Sequence, residues 1–217
     1  MKAGKLYIVL LLAGACAGCQ EGGFASRLKD AITGRTPRNA AVRMEDSYFP
    51  DERRAGINDL VAREFGKKPP YVERYEQIAQ TDPDWLVRAT AIRALNRARW
   101  KESTPIFVKA LDDPHEEVRL EAAKALVNMP DPKSVPSLIR IVNSTTENRD
   151  VRIAAADALK HYRTLEVARA LIAQLQVREF GIAWQSRRSL RSITGIDWKY
   201  DESAWLIYVT GPMKPFG

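Results

Sequence analysis

Apolar residues recur along the middle of the chain with the period of an α-helix. The pattern V-R-x-x-A-x-x-A-L occurs three times, in residues 87–95, 118–126 and 151–159. Its valine, alanine and alanine–leucine positions fall at i, i+4, i+7 and i+8, which lie on one face of a helix. Small alanines on that face let a neighbouring helix approach closely. The pattern therefore predicts three helices that pack against other helices.

A second apolar stripe follows each of these helices, in residues 104–111, 134–142 and 166–175. Pro105 and Pro136 stand at the starts of two of these segments, and proline suits the first turn of a helix. Asp82 and Asp113, each followed by proline, precede two of the alanine-faced helices, where aspartate can cap a helix. No segment shows a convincing strand pattern. The chain is therefore predicted to be all-α, an α-solenoid of stacked antiparallel helix pairs.

Two weaker copies of the pattern flank the three clear ones. Residues 53–60 end 35 residues before Leu95, and residues 187–190 end 31 residues after Leu159. Terminal repeats of a solenoid diverge because each must present a polar outer face. We therefore expect about five helix pairs in residues 46–209, followed by a short tail in residues 210–217.

The phrase D-P-x-x-x-V-R-x-x-A-x-x-A-L resembles the bacterial HEAT repeat, including the variant named for phycobilisome lyases. The resemblance extends over roughly residues 46–209. It implies polar ladders between adjacent repeats, formed by Asp82, Arg88, Asp113, Arg119 and Arg152. The sequence departs from the family pattern at Thr146, where an aspartate is expected, and at Ala183, where an arginine is expected.

The first residues have the order of a secretory signal peptide. Lys2 and Lys5 precede an uncharged stretch that is too short to span a bilayer as an ordinary helix. Residues 13–16 and 16–19 resemble two registers of a bacterial lipobox, so residues 1–19 are predicted to be a lipoprotein signal peptide. Either Cys16 or Cys19 is the expected lipidation site. Residues 20–45 are predicted to form a flexible tether.

A lipid on the cysteine would anchor the protein to a membrane. Stable anchoring takes more than one acyl chain, and the lipoprotein resemblance implies several. No aspartate follows Cys16 or Cys19, so the expected location is the outer membrane, facing the periplasm, if the cell has two membranes. Removal of Lys2 and Lys5 takes two charges from the formal net charge of +7. The modest basic balance and the export signal argue against a nucleic-acid partner.

The sequence offers few residues for catalysis. Its two cysteines are those of the lipobox region, and His115 and His161 are its two histidines. His115 lies at the polar start of a repeat and His161 at a helix end, where solvated histidines are common. None of the common nucleotide-binding, zinc-protease or serine-hydrolase motifs occurs. No cofactor and no metal are therefore expected, and the protein is predicted to be non-catalytic.

The candidate contact residues lie on the expected surface. Lys109 and Arg140 occupy equivalent places in two second helices, which line the concave face in related solenoids, so the pair could form a short basic row. A turn contains Arg97, Arg99 and Trp100, and the C-terminal aromatic group contains Trp205. The aromatic group is interpreted either as a hydrophobic cap over the last repeat or as a docking patch.

Three functions compete at this stage. The favoured hypothesis is a membrane-anchored scaffold or adaptor that binds a protein of the bacterial cell envelope, because repeat stacks present long surfaces and few pockets. The resemblance to lyase-type repeats offers the alternative of an enzyme that attaches a bilin chromophore to a protein. A third hypothesis, a HEAT-fold nucleic-acid enzyme such as some DNA glycosylases, is opposed by the export signal.

Overall fold

The computed structural model describes residues 36–211 and Phe216. This part of the chain contains eleven α-helices and no strand: α1 (Pro37–Met44), α2 (Pro50–Val61), α3 (Tyr71–Thr81), α4 (Trp85–Ala98), α5 (Thr104–Ala110), α6 (Glu116–Asn128), α7 (Val135–Asn143), α8 (Arg149–Ala158), α9 (Leu165–Ile172), α10 (Phe180–Thr194) and α11 (Glu202–Thr210). Short 3-10 turns lie at Glu64–Lys67, Lys101–Ser103, Pro132–Ser134 and Leu159–His161. Residues 1–19, including Cys16 and Cys19, lie outside the described residues, as does most of the predicted tether.

The helices form two rows. The alanine-faced helices α4, α6 and α8 stack on one another, and α2 and α10 extend the row at its two ends. In the other row α3 packs on α5, α7 on α9, and α9 on α11. Of this second row, α3, α5, α7 and α9 each also pack on the helix of the first row that follows them in the chain. The prediction of an α-solenoid of about five helix pairs is confirmed.

The alanine-faced row is the more tightly packed of the two. The leucines that end the pattern and most of its alanines are buried, because small side chains let these backbones approach. A stack of helices curves towards its more tightly packed side. We therefore infer that the alanine-faced row forms the concave side, whereas the sequence predicted the second helices there, and we call it the concave row.

The solenoid begins earlier than its repeats indicate. Residues 37–44, which were predicted to belong to the tether, form α1, and Ala40 and Met44 are buried against α2. The close approach depends on Gly56, where a Cβ atom would lie 2.4 Å from the backbone nitrogen of Met44. Among the described residues, no helix is long and apolar enough to cross a membrane.

Candidate protein-binding groove

A ladder of arginines joins neighbouring repeats. Arg88 donates from Nε and Nη2 to the carboxylate of Asp113, at 3.0 Å each, and from Nη1 to the backbone oxygen of Asp82 at 2.9 Å. Arg119 repeats this arrangement, with bonds of 2.8 and 2.7 Å to Glu147 and one of 2.7 Å to the backbone oxygen of Asp113. Each guanidinium thus bonds the loop of its own repeat and the loop of the next.

The ladder continues at both ends, where the predicted member Arg152 is joined by Arg53 and Gln174, which sequence analysis did not assign to it. Arg53 donates to both oxygens of Asp82, at 2.8 and 2.9 Å. Arg152, only 4% exposed, donates to the side-chain oxygen of Gln174 at 2.9 Å. Arg53 begins a degenerate copy of the repeat, at the place that Arg88 has before Leu95, which is the signal that could have revealed it. The glutamine at 174 gives no such signal, because the repeat pattern expects an acid.

The ladder aspartates accept hydrogen bonds from backbone N–H groups of the loops and do not cap the helices that follow. Asp82 accepts the N–H of Asp84, and Asp84 is the residue that caps α4 by accepting the N–H of Val87. Asp113 likewise accepts the N–H of His115. The expectation that Asp82 and Asp113 cap the helices is therefore corrected: both hold the preceding turn and pair with an arginine.

A second set of polar contacts crosses the concave row. Arg93 on α4 donates to Glu121 on α6 at 3.1 Å, and Lys124 on α6 donates to the same carboxylate at 3.2 Å. Further along the row, Gln185 on α10 donates to Asp157 on α8 at 2.8 Å. Glu121 and Gln185 occupy the same place in their helices, five residues before the leucine that ends the pattern. They close the junctions between α4 and α6 and between α8 and α10.

The junction between α6 and α8 is left open. Ala154 occupies the place that Glu121 and Gln185 fill elsewhere, and its methyl group is too short to reach the neighbouring helix. The result is a groove of about 330 Å³ lined by Leu120, Lys124, Val127, Asp150, Ile153, Ala154, Asp157 and Gln185. Aliphatic side chains form its floor, and one lysine and two aspartates stand around it. Such a surface suits an apolar side chain flanked by polar groups.

The predicted basic row is neutralised in part. Lys109 is exposed on α5, and Arg140 is exposed on α7, as the repeat register predicts. Arg140 pairs with the carboxylate of Asp112 and lies 3.5 Å from the backbone oxygen of Leu111. The carboxylate removes half of the positive charge that the row was expected to offer.

The remaining candidate contact residues differ in how far they are exposed to solvent. Arg97 and Arg99 are exposed, and Arg99 ends α4 in the left-handed conformation, with φ of 55°. Trp100 is half-buried and packs against the core. Trp205 is fully buried, and its indole N–H donates to the backbone oxygen of Lys199 at 3.1 Å. The prediction of Trp205 as a partner contact is therefore wrong, since the residue caps the core beside α9.

The two histidines make ordinary structural contacts. The ring of His115 stacks on Trp85, with centroids 5.5 Å apart. Nε2 of His161 lies 2.8 Å from the backbone oxygen of Val127. Within the described part of the chain, no group of three His, Cys, Asp or Glu residues is placed to hold a metal ion.

Comparison with known proteins defines the class of this chain. Residues 72–160 match the family of HEAT repeats, and the described residues as a whole have the fold of an all-α solenoid of the HEAT and ARM type. The comparison with curated proteins found no match.

Solved structures share the fold. A chain from the complex of CpcE and CpcF of phycocyanin lyase from Nostoc sp. PCC7120 is 18% identical, with a TM-score of 0.65 over 74% of this chain and 66% of that chain. An engineered protein is 20% identical, with a TM-score of 0.54 over 73% and 79%. Human deoxyhypusine hydroxylase in complex with glycerol is 19% identical, with a TM-score of 0.52 over 75% and 64%. The alignment thus spans less than two thirds of the phycocyanin lyase chain and of the hydroxylase chain.

Proposed function

We propose that this protein is a non-catalytic scaffold of the bacterial cell envelope that binds a protein partner in the groove between α6, α8 and α10. A lipid on Cys16 or Cys19 would hold it to the membrane. The open junction at Ala154 carries the proposal. It interrupts a row whose neighbouring junctions are closed by polar side chains, and it leaves Leu120, Val127 and Ile153 partly exposed.

The chemistry of the groove indicates what kind of segment it would take. Leu120 and Ile153 offer apolar area, so burial of a partner's aliphatic or aromatic side chain provides the affinity. Lys124 stands on one side and Asp157 on the other, so charges of the partner set its orientation. A peptide or helix with an apolar anchor between charged residues fits this description.

The groove is tested by filling it with a glutamine side chain, because a glutamine closes the neighbouring junction between α8 and α10. Ala154→Gln copies Gln185 and fills the groove, while Ala173→Gln makes the same change at an exposed site on the other row. The tagged full-length protein is crosslinked in its native cells, captured and compared by quantitative mass spectrometry. We expect one dominant envelope partner with the wild type and with Ala173→Gln, and its loss with Ala154→Gln. Equal recovery with all three proteins would refute the groove as the binding site.

The anchor is tested separately on the N-terminal peptide. We expect its mass to show cleavage before one cysteine and acyl chains on that cysteine. Replacement of that cysteine by alanine, Cys16→Ala or Cys19→Ala, should release the protein from the membrane fraction, and replacement of the other should not. An unprocessed Met1 would refute both the anchor and the envelope location.

A second candidate function is attachment of a bilin chromophore to an acceptor protein. The likeness to a chain of the phycocyanin lyase complex favours it. Its test is an incubation of the purified protein with a bilin and an acceptor protein, followed by absorbance of the acceptor after denaturation. Covalent transfer above the uncatalysed rate would replace the scaffold proposal with an enzymatic one.

A further inference from the structure

The concave row of helices ends at α10, and one side of α10 is uncovered. Phe180 is 68% exposed and Trp184 is 45% exposed, both on the same side of the helix. The last helix, α11, packs against α9 in the other row. The segment after α10 reaches it through Asp197, which accepts two hydrogen bonds from Arg187 at 2.9 and 2.7 Å. Tyr200 of the same segment lies beside Arg187 and has its ring 6.3 Å from that of Phe180, which still leaves most of Phe180 exposed.

The repeat register shows what would normally lie on that side. The residue two places before the terminal leucine faces the next helix of the row: Arg93 bonds Glu121, and Asp157 bonds Gln185. Arg188 is the residue at this place in α10, two before Leu190. The row contains no further helix to pair with it. In residues 36–211 Arg188 has no acidic partner, and its guanidinium lies 5.4 Å from the centre of the Trp184 ring.

The surroundings of Arg188 carry excess positive charge. Arg187, Arg188, Arg191 and Trp184 line a concave pocket of about 170 Å³. Asp197 is shared by Arg187 and Arg191: it accepts two bonds from Arg187 and lies 3.5 Å from Arg191, and it does not pair with Arg188. A guanidinium binds a carboxylate through two parallel hydrogen bonds, which gives both strength and orientation.

We propose that this side of α10 is a second docking surface, which binds a helix of a partner protein that presents a carboxylate to Arg188, as Glu121 does to Arg93. The partner helix would extend the concave row by one member, with its apolar residues against Phe180 and Trp184. This surface is distinct from the groove at Ala154, and the proposal does not rest on the groove.

Two other occupants of this side of α10, a second copy of the chain and a membrane surface, match it less well than a carboxylate-bearing helix does. A second copy of this chain would bring its first row helix, α2, but Ala55 stands five residues before Leu60, where the carboxylate is needed. A membrane surface is met by protruding side chains, whereas the arginines here line a concavity beside an indole ring. The carboxylate-bearing helix is the occupant that matches both the charge and the register.

The test places the photocrosslinker p-benzoylphenylalanine at Phe180 of the full-length protein in its native cells. An equivalent crosslinker at Phe65, which is 41% exposed at the other end of the molecule, is the positional control. We expect a crosslink at position 180 to a helical segment of another protein that has Asp or Glu within one turn of the crosslinked residue. The crosslink at position 65 should differ or be absent.

Charge variants test whether Arg188 is responsible for the binding that the crosslink at position 180 reports. Arg188→Glu should lower the yield at position 180 by about 30-fold, in line with loss of one partner of a close ion pair. Arg169→Glu, the same change at an exposed arginine on α9, should leave the yield unchanged. Replacement of the partner's acidic residue by arginine should restore the crosslink of Arg188→Glu. The proposal is overturned by no crosslink at position 180, by a crosslink to lipid, to a second copy or to a segment without a carboxylate, or by failure of this rescue.

Discussion

Arg119 and Glu147 meet across a repeat boundary through two hydrogen bonds, Nε to Oε2 at 2.8 Å and Nη2 to Oε1 at 2.7 Å. The repeat pattern expects an aspartate one residue earlier, at Thr146. Glutamate has one more methylene than aspartate, so its carboxylate reaches the same place in space from the next position. The joint at which Thr146 departs from the family pattern is therefore a fully formed member of the ladder.

Loss of Arg119 should destabilise the solenoid strongly. Its side chain is 17% exposed and that of Glu147 is 7% exposed, so Arg119→Ala leaves a nearly buried carboxylate without its partner. We expect the free energy of unfolding to fall by about 3 kcal/mol in urea denaturation. Arg140→Ala is the control, because Arg140 and Asp112 are 56% and 61% exposed, and it should cost less than about 1 kcal/mol. Similar losses in both variants would contradict the ladder's role.

The Glu147 carboxylate should make stability depend on acid pH. Burial raises the pKa of Glu147, but hydrogen bonds from Arg119 and from the backbone N–H of Asn148 outweigh it and hold the pKa below the ordinary 4.5. The stabilisation is present above about pH 4.5 and is lost as the pH falls through the folded-state value. Glu147→Gln should be less stable than wild type at pH 7, with a smaller difference near pH 3. A difference that does not change with pH would refute this.

The pKa of the Asp197 carboxylate reports directly on the contact of Asp197 with α10. Hydrogen bonds from Arg187 lower the pKa of Asp197 from 3.8 to about 2. Its contribution to stability is complete above about pH 3.8 and is lost as the pH falls through about 2. Carbon-detected NMR titration should show the pKa moving towards 3.8 in Arg187→Ala and staying near 2 in Arg188→Ala. A value near 2 in both variants would mean that Arg187 is not the cause.

A methyl group at Gly56 should separate α1 from α2. The added Cβ would lie 2.4 Å from the nitrogen of Met44 and 2.5 Å from the oxygen of Ala40, both backbone atoms. Helix propensity alone would favour alanine by about 1 kcal/mol, yet we expect Gly56→Ala to lose about 3 kcal/mol on thermal unfolding. Gly181→Ala is the control, since its Cβ would meet only the flexible end of Ile153 at 3.0 Å. A stabilised Gly56→Ala would show that α1 does not pack as described.

Ser186 should be replaceable with a gain in stability. Its hydroxyl is buried and has no hydrogen-bond partner among the described residues, and alanine fills the equivalent place in the three preceding row helices, at positions 91, 122 and 155. We expect Ser186→Ala to raise the free energy of unfolding by about 1 kcal/mol. Ser189→Ala should have the opposite effect, because Ser189 donates to the backbone oxygen of Ala156 at 2.7 Å. A loss in both variants would show that Ser186 is satisfied by a bond not seen here.

Apolar residues that recur with a helical period predicted the fold well. The residues of the candidate site have no such period and were predicted poorly. The alanine–leucine stripes located α4, α6 and α8, because burial of one helical face leaves a regular trace in sequence. The stretch that forms α1 has only eight residues and two buried ones, too few to show a period. Ala154 stands at a variable position of the repeat pattern and is not conspicuous in the sequence. It matters because Glu121 and Gln185 fill the equivalent position in the neighbouring helices.

The all-α class, the repeat and its register can be read from the sequence, because they follow from local periodicity. Which side chains meet depends on the tertiary structure. It showed that Glu147 replaces the expected aspartate, that Trp205 is enclosed by the core, and that Arg188 stands at the open end of a row. Contacts between repeats join residues about 30 positions apart, and their geometry depends on helix packing and side-chain length, which a periodic pattern does not record.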